Sequence, residues 1–419
     1  MSTELGTSFI ERIFQAQERL KGVALKTPLK RDLLLSQQFN CDIFLKQENL
    51  QETRSYKIRG AYNKMVQLRS VQGVKRVVCA SAGNHAQGVA HASRLLKMKA
   101  DIFMPTTTPA QKIGQVKMFG GGSIKLHLIG DTFEEALAEA LKHVDLNGIP
   151  FIPPFDDPEI IAGQGTIALE LLQQSTSVPD YVIVPVGGGG LAAGIAQVLS
   201  KLSPETKLIT VEPEGAPSLK AALKVGRPIC LDKVDPFVDG AAIKCIGSTT
   251  FGILKDKIAL HITIPEGKVC TTILETYNKA GLVLEPAGAL SIAALSQLKK
   301  IIRDKTIVCV ISGGNNDITR MEEIKERSLL YEDLKHYFLV RFPQRAGALK
   351  EFVVNVLEPH QDISHFEYIK RTGKEKGSVL VGIELPEPKG HLQLQRRMEE
   401  HNFSNIYLND KPEIFDLLV

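Results

Sequence analysis

The chain has 419 residues, with 43% hydrophobic and 23% charged side chains and a formal net charge of +4. That balance excludes a chain disordered throughout, and without a long basic run it argues against a nucleic-acid partner. The length predicts two to three domains, each large enough to bury a core without disulfides.

The N-terminus, MSTELGTSFIERIF, lacks the basic-then-apolar order of a secretory leader. Strands are predicted at Cys41–Lys46, Arg76–Ala80, Asp101–Met104, Ser123–Leu128, Tyr181–Val186, Lys207–Val211, His261–Ile264 and Thr306–Ile311, where apolar and β-branched residues run together. Helical patterns fall at Ile58–Ser70, Ala86–Leu96, Pro109–Phe119, Thr132–His143, Gly163–Gln173, Gly190–Leu202 and Gly288–Leu298. The strands are continuous apolar runs rather than alternating ones, as a parallel sheet covered on both faces requires. Their alternation with helices predicts an α/β architecture with open, mostly parallel sheets. Tyr181–Ser200 carries no charge, but four successive glycines and Pro185 favour strand, turn and helix over one membrane span.

After Ser312 the pattern changes. A charged helix at Asp317–Tyr331 suits a connector. Then come a strand at Tyr337–Phe342, a helix at Ala346–Leu357, strands at Ile363–Arg371 and Gly377–Leu385 around the turn RTGKEKG, a helix at His391–His401 and a strand at Asn405–Leu408. This order is the split βαβ pattern of an α+β ferredoxin-like module. The expected boundary gives residues 1–330 to one region and 331–419 to the module.

Six cysteines (Cys41, Cys79, Cys230, Cys245, Cys270 and Cys309) include no C-x-x-C pair, so zinc and thioredoxin-type chemistry lack support. Buried free thiols in a reducing compartment are expected.

The glycines of VIVPVGGGGLAAGIAQVL, Val182–Leu199, sit between a strand and a helix. Such a loop lets backbone N–H groups approach an anion at a helix N-terminus. Two readings follow. Glu212 ends the next strand, roughly 20 residues on, as in a dinucleotide-binding fingerprint. Against this, the third fingerprint position falls on Ala192 or Ala193, and the phosphate can belong to another cofactor. Three further segments stand out: SYKIRGA at Ser55–Ala61, SAGNHAQG at Ser81–Gly88 and VISGGN at Val310–Asn315. A lysine partly buried near cationic neighbours has a lowered pKa, and its neutral amine reacts with aldehydes. Small residues at a strand-to-helix turn can present N–H groups to a carboxylate, and a Ser after a buried strand is ordinarily a helix cap.

Together with TPL at Thr27–Leu29, GQGT at Gly163–Thr166, GGGGL at Gly187–Leu191 and EPAGAL at Glu285–Leu290, these segments resemble the pyridoxal-phosphate enzymes of the tryptophan-synthase-β fold type. Within that type the likeness is to the threonine/serine dehydratases, and it covers about Thr27 to Asp317. It implies a two-lobed catalytic region, with a small lobe near residues 55–155 inserted in a larger one. It implies that Lys57 carries the aldehyde of pyridoxal 5'-phosphate, that Asn84 bonds the ring hydroxyl, and that Gly187, Gly188, Gly189, Gly190 and Leu191 cradle the phosphate. It further implies that Ser312 faces the pyridine nitrogen, that the loop Ser81, Ala82, Gly83, Asn84 and His85 takes the substrate carboxylate, and that Tyr56 lies near the ring. A neutral hydroxyl at that nitrogen makes the ring a milder electron sink than an aspartate would, which suits elimination. In serine racemases of this fold a second Ser follows the first in the SAGNH loop; Ala82 stands here, which disfavours racemisation. Glu212 and Ala216 match part of a cation site in some relatives, but Ser218 replaces a carboxylate, and no metal is assigned.

FPQRAGALKEF, Phe342–Phe352, followed by FEYIKR and GSVLVGIEL, resembles the ACT-like regulatory domain of biosynthetic threonine dehydratases. This implies a lyase that deaminates L-threonine to 2-oxobutanoate in the isoleucine pathway and also accepts L-serine. It also implies isoleucine and valine as effectors, a homotetramer and a cytoplasmic location, with no membrane or nucleic-acid partner. The Arg345–Gly347 turn is the candidate effector contact. The competing readings are a serine-preferring dehydratase, an NAD-dependent dehydrogenase resting on the glycines and Glu212, and an amino-acid sensor without catalysis.

Overall fold

A computed structural model describes residues 8–368 and 376–418. It divides into two compact units, Met1–Ile318 and Thr319–Val419. The helix Met321–Tyr331, read above as a connector, falls with the second unit.

In the first unit the strands are β1 Leu29–Arg31, β2 Asp42–Gln47, β3 Arg76–Ala80, β4 Lys99–Met104, β5 Ile124–Leu128, β6 Tyr181–Pro185, β7 Lys207–Pro213, β8 Ile258–Ile264 and β9 Thr306–Ile311. A six-stranded sheet has the order β1-β2-β9-β6-β7-β8, and a separate three-stranded sheet the order β3-β4-β5. All these pairings are parallel except β1 with β2. The apolar runs explain this: Val182, Val184, Val308 and Val310 are fully buried between helical layers, as a parallel sheet demands. The smaller sheet has its own core around Val77, Cys79, Ala100 and Ile102. It lies wholly between β2 and β6 in sequence, so the chain leaves the larger sheet, builds the smaller one and returns.

Beyond the expected helices, the fold has Phe9–Arg19, Leu33–Phe39, Ser218–Val225, Ser248–Leu254 and Glu266–Ala280. The first begins with a capping box, Ser8 and Glu11 exchanging bonds with each other's backbone. The GQGT segment lies inside the helix Pro158–Gln174, where glycine permits two close helix crossings. A methyl at Gly163 would stand 2.6 Å from the Arg59 carbonyl oxygen, and one at Gly194 2.5 Å from that of Ile161.

The cysteine expectation needs correction. Cys41, Cys79, Cys270 and Cys309 are buried and outside any disulfide, but Cys230 and Cys245 form one. Their two segments pair as an antiparallel bridge, which brings the sulfurs together on a loop that no apolar run marks.

The second unit holds β10 Lys335–Pro343, β11 Asp362–Tyr368, β12 Lys376–Glu384 and β13 Asn405–Tyr407, with helices Ala348–Asn355, His391–Glu400 and Pro412–Leu418. The order β11-β12-β10-β13, antiparallel throughout, is that of a ferredoxin-like sheet. Phe338, Phe342, Phe352 and Phe403 form the centre of its core. Residues 369–375, most of the expected RTGKEKG turn, lie outside the described residues. Among the described residues no helix is long and apolar enough to cross a membrane.

Candidate active site

Lys57 is the first residue of the helix Lys57–Gln72, and its Nζ donates to the Pro154 carbonyl oxygen at 2.7 Å. Burial pushes its amine down to about 8, against an opposing pull from Glu285. A methyl at Gly88 would come within 3.2 Å of the Lys57 carbonyl, so the glycine of SAGNHAQG lets the helix Asn84–Leu96 pass against the lysine's backbone.

Just beyond Lys57 the same helix is anchored by a buried charge network. Arg59 is 1% exposed and binds Glu48 at 2.8 and 2.9 Å and Glu170 at 2.6 and 2.9 Å. Lys46, fully buried, also binds Glu170, at 2.6 Å, and Thr27 of the TPL segment donates to Glu48. Burial opposes ionisation of Glu48, yet the Arg59 guanidinium outweighs it and holds the carboxyl below the usual range. Thr27 and Arg59 are therefore structural supports for Lys57 rather than ligand contacts.

The strands bring the other segments to this lysine. The Tyr56 N–H donates to the Ser312 carbonyl at 3.1 Å, Ser55 and Gly313 form a bridge, and the Gly314 N–H donates to the Arg54 carbonyl at 2.9 Å. The SGGN loop after β9 is thus stitched to the Lys57 segment, with Ser312 3% exposed. The Tyr56 ring lies 5.3 Å from the Lys57 Nζ.

The glycine loop joins β6 to the helix Gly190–Leu202. Gly189 precedes that helix with φ +89°, a left-handed conformation suited to glycine, and no side chain caps the helix N–H groups. At Gly188 a methyl would stand 2.2 Å from the Phe155 ring. Next to Phe155, the Asp156 carboxylate accepts from the N–H groups of Ser248, Thr249 and Thr250 at 3.0 to 3.1 Å. Thr250 Oγ1 in turn donates to the Gly188 carbonyl at 2.8 Å. Carbonyls of this loop are engaged while the N–H groups at the start of the helix have no side-chain cap, which suits an anion.

The loop Ser81–Asn84 is half-exposed at the start of its helix. His85 points elsewhere. It is buried, and its Nε2 is 2.9 Å from the Ile152 carbonyl, which only accepts, so Nε2 carries the proton. Burial, and then the Lys57 charge, push His85 down to about 3, leaving a neutral structural imidazole. Its side chain does not reach into the loop; only its main chain is positioned to contribute there.

Glu285 is the side chain that sequence reasoning passed over, although EPAGAL stood out. It is 4% exposed, and its oxygens lie 2.8 and 2.9 Å from Asn84 Nδ2. Burial pushes its carboxyl up to about 7, with the Asp239 charge adding and the Asn84 bond opposing. Asn315 donates to Asn84 Oδ1 at 2.7 Å, and its own Oδ1 is buried without a partner. Both residues lie within quoted segments, EPAGAL and VISGGN, but no local pattern pairs their side chains with Asn84.

Glu212 does not serve a ribose. It is fully buried and accepts from the N–H groups of Leu219 and Lys220 at 2.7 and 3.0 Å and from Ser218 Oγ at 3.2 Å, closing the start of the helix Ser218–Val225. His261 Nε2 lies 3.2 Å from its other side. The dinucleotide reading loses its acidic residue to this internal role.

The donor set fits pyridoxal phosphate. Lys57 offers a low-pKa amine, the Gly187–Leu191 turn a cradle that added methyls would obstruct, and Ser312 a neutral hydroxyl. The family described as pyridoxal-phosphate dependent enzyme matches residues 20–313, and that described as the C-terminal regulatory domain of threonine dehydratase matches residues 326–418. The biosynthetic L-threonine dehydratase of Bacillus subtilis is 50% identical over 98% of this chain and 97% of its own length. Its Staphylococcus aureus counterpart is 47% identical over the whole of both chains. Among solved structures, the processed threonine deaminase isoform 2 of Solanum lycopersicum superposes with a TM-score of 0.73 at 38% identity, covering 78% of this chain and 90% of that one. Serine racemase from Dictyostelium discoideum gives 0.68 at 30% identity, covering 74% and 99%.

Proposed function

The chain belongs to the pyridoxal-phosphate-dependent threonine dehydratases, and from that premise we propose that it converts L-threonine to 2-oxobutanoate and ammonia. What carries the reading is the Lys57 amine, shielded, lowered to about 8, and held beside the SGGN loop. When bound, the cofactor supplies an aldehyde that captures amines and a ring that delocalises the electrons left by a departing α-proton.

Lys57 would hold the cofactor through its amine, and the same amine, when released, would take the α-proton of the substrate as general base. Its low pKa keeps an appreciable neutral fraction at physiological pH, which an ordinary lysine lacks. Asn84, oriented by Glu285 and Asn315, would hold the ring hydroxyl. The N–H groups of Gly187–Leu191 would hold the phosphate, and Ser312 would meet the pyridine nitrogen without a charge. The main chain of Ser81–His85 at its helix start receives the substrate carboxylate. Loss of the β-hydroxyl and hydrolysis of the released enamine give the 2-oxo acid. Ala82 offers no acid on the opposite face, so racemisation is minor.

We assign catalysis to residues 1–330, with a small lobe near residues 55–155, and regulation to residues 331–419. Isoleucine inhibits and valine opposes it, in a cytoplasmic homotetramer that also accepts L-serine. Arg345 pairs with Glu351, so an effector carboxylate at the Arg345–Gly347 turn must compete with that ion pair.

The test is spectroscopic and kinetic. The purified protein absorbs as a lysine-bound aldehyde cofactor, borohydride fixes the label on Lys57, and threonine yields 2-oxobutanoate. Lys57→Ala abolishes turnover; a colourless protein, or an active Lys57→Ala variant, overturns the proposal. Isoleucine shifts the threonine curve of the full chain, and identical curves with and without it remove the regulatory reading.

A further inference from the structure

The second unit holds a cluster that neither catalysis nor effector binding uses. Asp333, His336 and His391 each present a ligand atom, and these atoms all lie within 4.8 Å of one another. They come from three places: the turn after the helix Met321–Tyr331, the second residue of β10, and the first residue of the helix His391–Glu400.

The hydrogen bonds fix the tautomer of His336. His336 Nε2 is 3.0 Å from the Asp333 carbonyl oxygen, which can only accept, so the proton sits on Nε2 and Nδ1 carries the lone pair. A ligating histidine characteristically has its second ring nitrogen fixed in this way by a carbonyl. That Nδ1 accepts from the Tyr407 hydroxyl, 2.9 Å away, a bond that an ion would displace, and faces Asp333 Oδ1, 3.9 Å away, while Asp333 Oδ2 accepts from the Lys389 N–H at 2.8 Å. His391 is stacked on Tyr407 at 4.8 Å and 4°, and its Nδ1 is buried without a hydrogen-bond partner. An unpartnered buried ring nitrogen in a polar pocket costs stability unless something binds it.

We propose that Asp333, His336 and His391 form a site for a first-row divalent transition-metal ion such as zinc, through two imidazole nitrogens and one carboxylate. The nitrogen-rich donor set favours zinc over calcium or magnesium. Bonds of about 2.0–2.1 Å to a tetrahedral ion bring ligand atoms to about 3.3 Å apart, so loading draws the three side chains inward. The ion then pins the turn before β10 to the start of the His391 helix.

The probe is zinc chloride, added to the chelator-treated, cofactor-loaded full chain, with bound metal counted after dialysis. Wild type retains one zinc per chain. His391→Ala and Asp333→Asn each weaken retention at least ten-fold while threonine turnover without metal is unchanged. Asp333 is 40% exposed at its side chain, so its substitution tests the site without disturbing the core. Cobalt(II) reports the same site through a visible absorption that both variants lose. Wild type that retains no zinc, or variants that retain it equally, overturns the proposal.

Discussion

The Asn84 amide nitrogen lies 2.8 and 2.9 Å from the two carboxylate oxygens of Glu285, 201 residues further along the chain. Asn84 starts the helix after β3, in the smaller sheet's lobe, and Glu285 immediately precedes the helix Pro286–Ala293 that packs on the larger sheet. The carboxyl sits where ionisation is unfavourable. An unfolded glutamate loses its proton near 4.5, whereas Glu285 holds it to about 7, so between these values the native state binds more protons. Stability attributable to this group is therefore full below 4.5 and falls as pH rises toward 7. The shift corresponds to about 3 kcal/mol. Glu285→Gln is expected to raise the unfolding free energy of the cofactor-free protein at pH 8 by up to that amount, read as a higher urea midpoint, and to leave it unchanged near pH 4.5. Equal midpoints at pH 8 would show that the carboxyl is not held against its charge.

Lys57 gives a second pH dependence, in cofactor uptake. The neutral amine is the form that attacks an aldehyde. At about 8 the amine is roughly one-tenth neutral at pH 7, against about one part in 3,000 for an unperturbed lysine. Reconstitution of the cofactor-free protein is expected to speed up about ten-fold from pH 6 to pH 7 and to level off above pH 8 to 9. Glu285 raises the Lys57 pKa, so Glu285→Gln moves that midpoint to lower pH. A rate still climbing ten-fold per unit at pH 10 would contradict a lowered pKa.

Much of this was legible in the sequence because the strands are apolar runs with sharp edges. Thr306–Ile311 and the helix Gly190–Leu202 appear with the expected bounds. Helix starts were harder: the helix Pro158–Gln174 begins five residues before the expected Gly163, because its cap, Asp157, lies beyond the apolar pattern. Long-range polar pairing left no local pattern. Glu285 with Asn84, Arg59 with Glu48 and Glu170, and the Cys230–Cys245 disulfide join distant or featureless segments. The fingerprint spacing of Glu212 misled for the converse reason: a carboxylate after a strand serves equally well to bind the next helix's N–H groups.

The Arg59 network makes a prediction about stability. Removing one member leaves buried charges uncompensated, which costs about 3–5 kcal/mol. Arg59→Met leaves Glu48 and Glu170 with Lys46 as their remaining buried cation. Its urea midpoint is expected to fall accordingly, and Glu48→Gln in the same chain to recover part of the loss, since one uncompensated charge is gone. Destabilisation that adds fully in the double variant would mean the two side chains act independently.

The proposed phosphate cradle is tested by volume. Gly188 lies against the Phe155 ring so closely that a methyl would stand 2.2 Å from it, and Phe155 is fixed next to Asp156, which holds three N–H groups of the helix Ser248–Leu254. The ring cannot retreat without disturbing that cap, so Gly188→Ala must displace the loop itself. Overpacking of this kind costs about 1–3 kcal/mol. If the displacement falls on the bound state, cofactor dissociation constants rise about 5- to 150-fold. Phe155→Ala in the Gly188→Ala chain removes the obstacle and is expected to restore most of the affinity, measured by titrating the stripped protein with pyridoxal phosphate. A double variant as weak as Gly188→Ala alone would mean that the loop's N–H groups are disturbed by the alanine itself and not by its contact with Phe155.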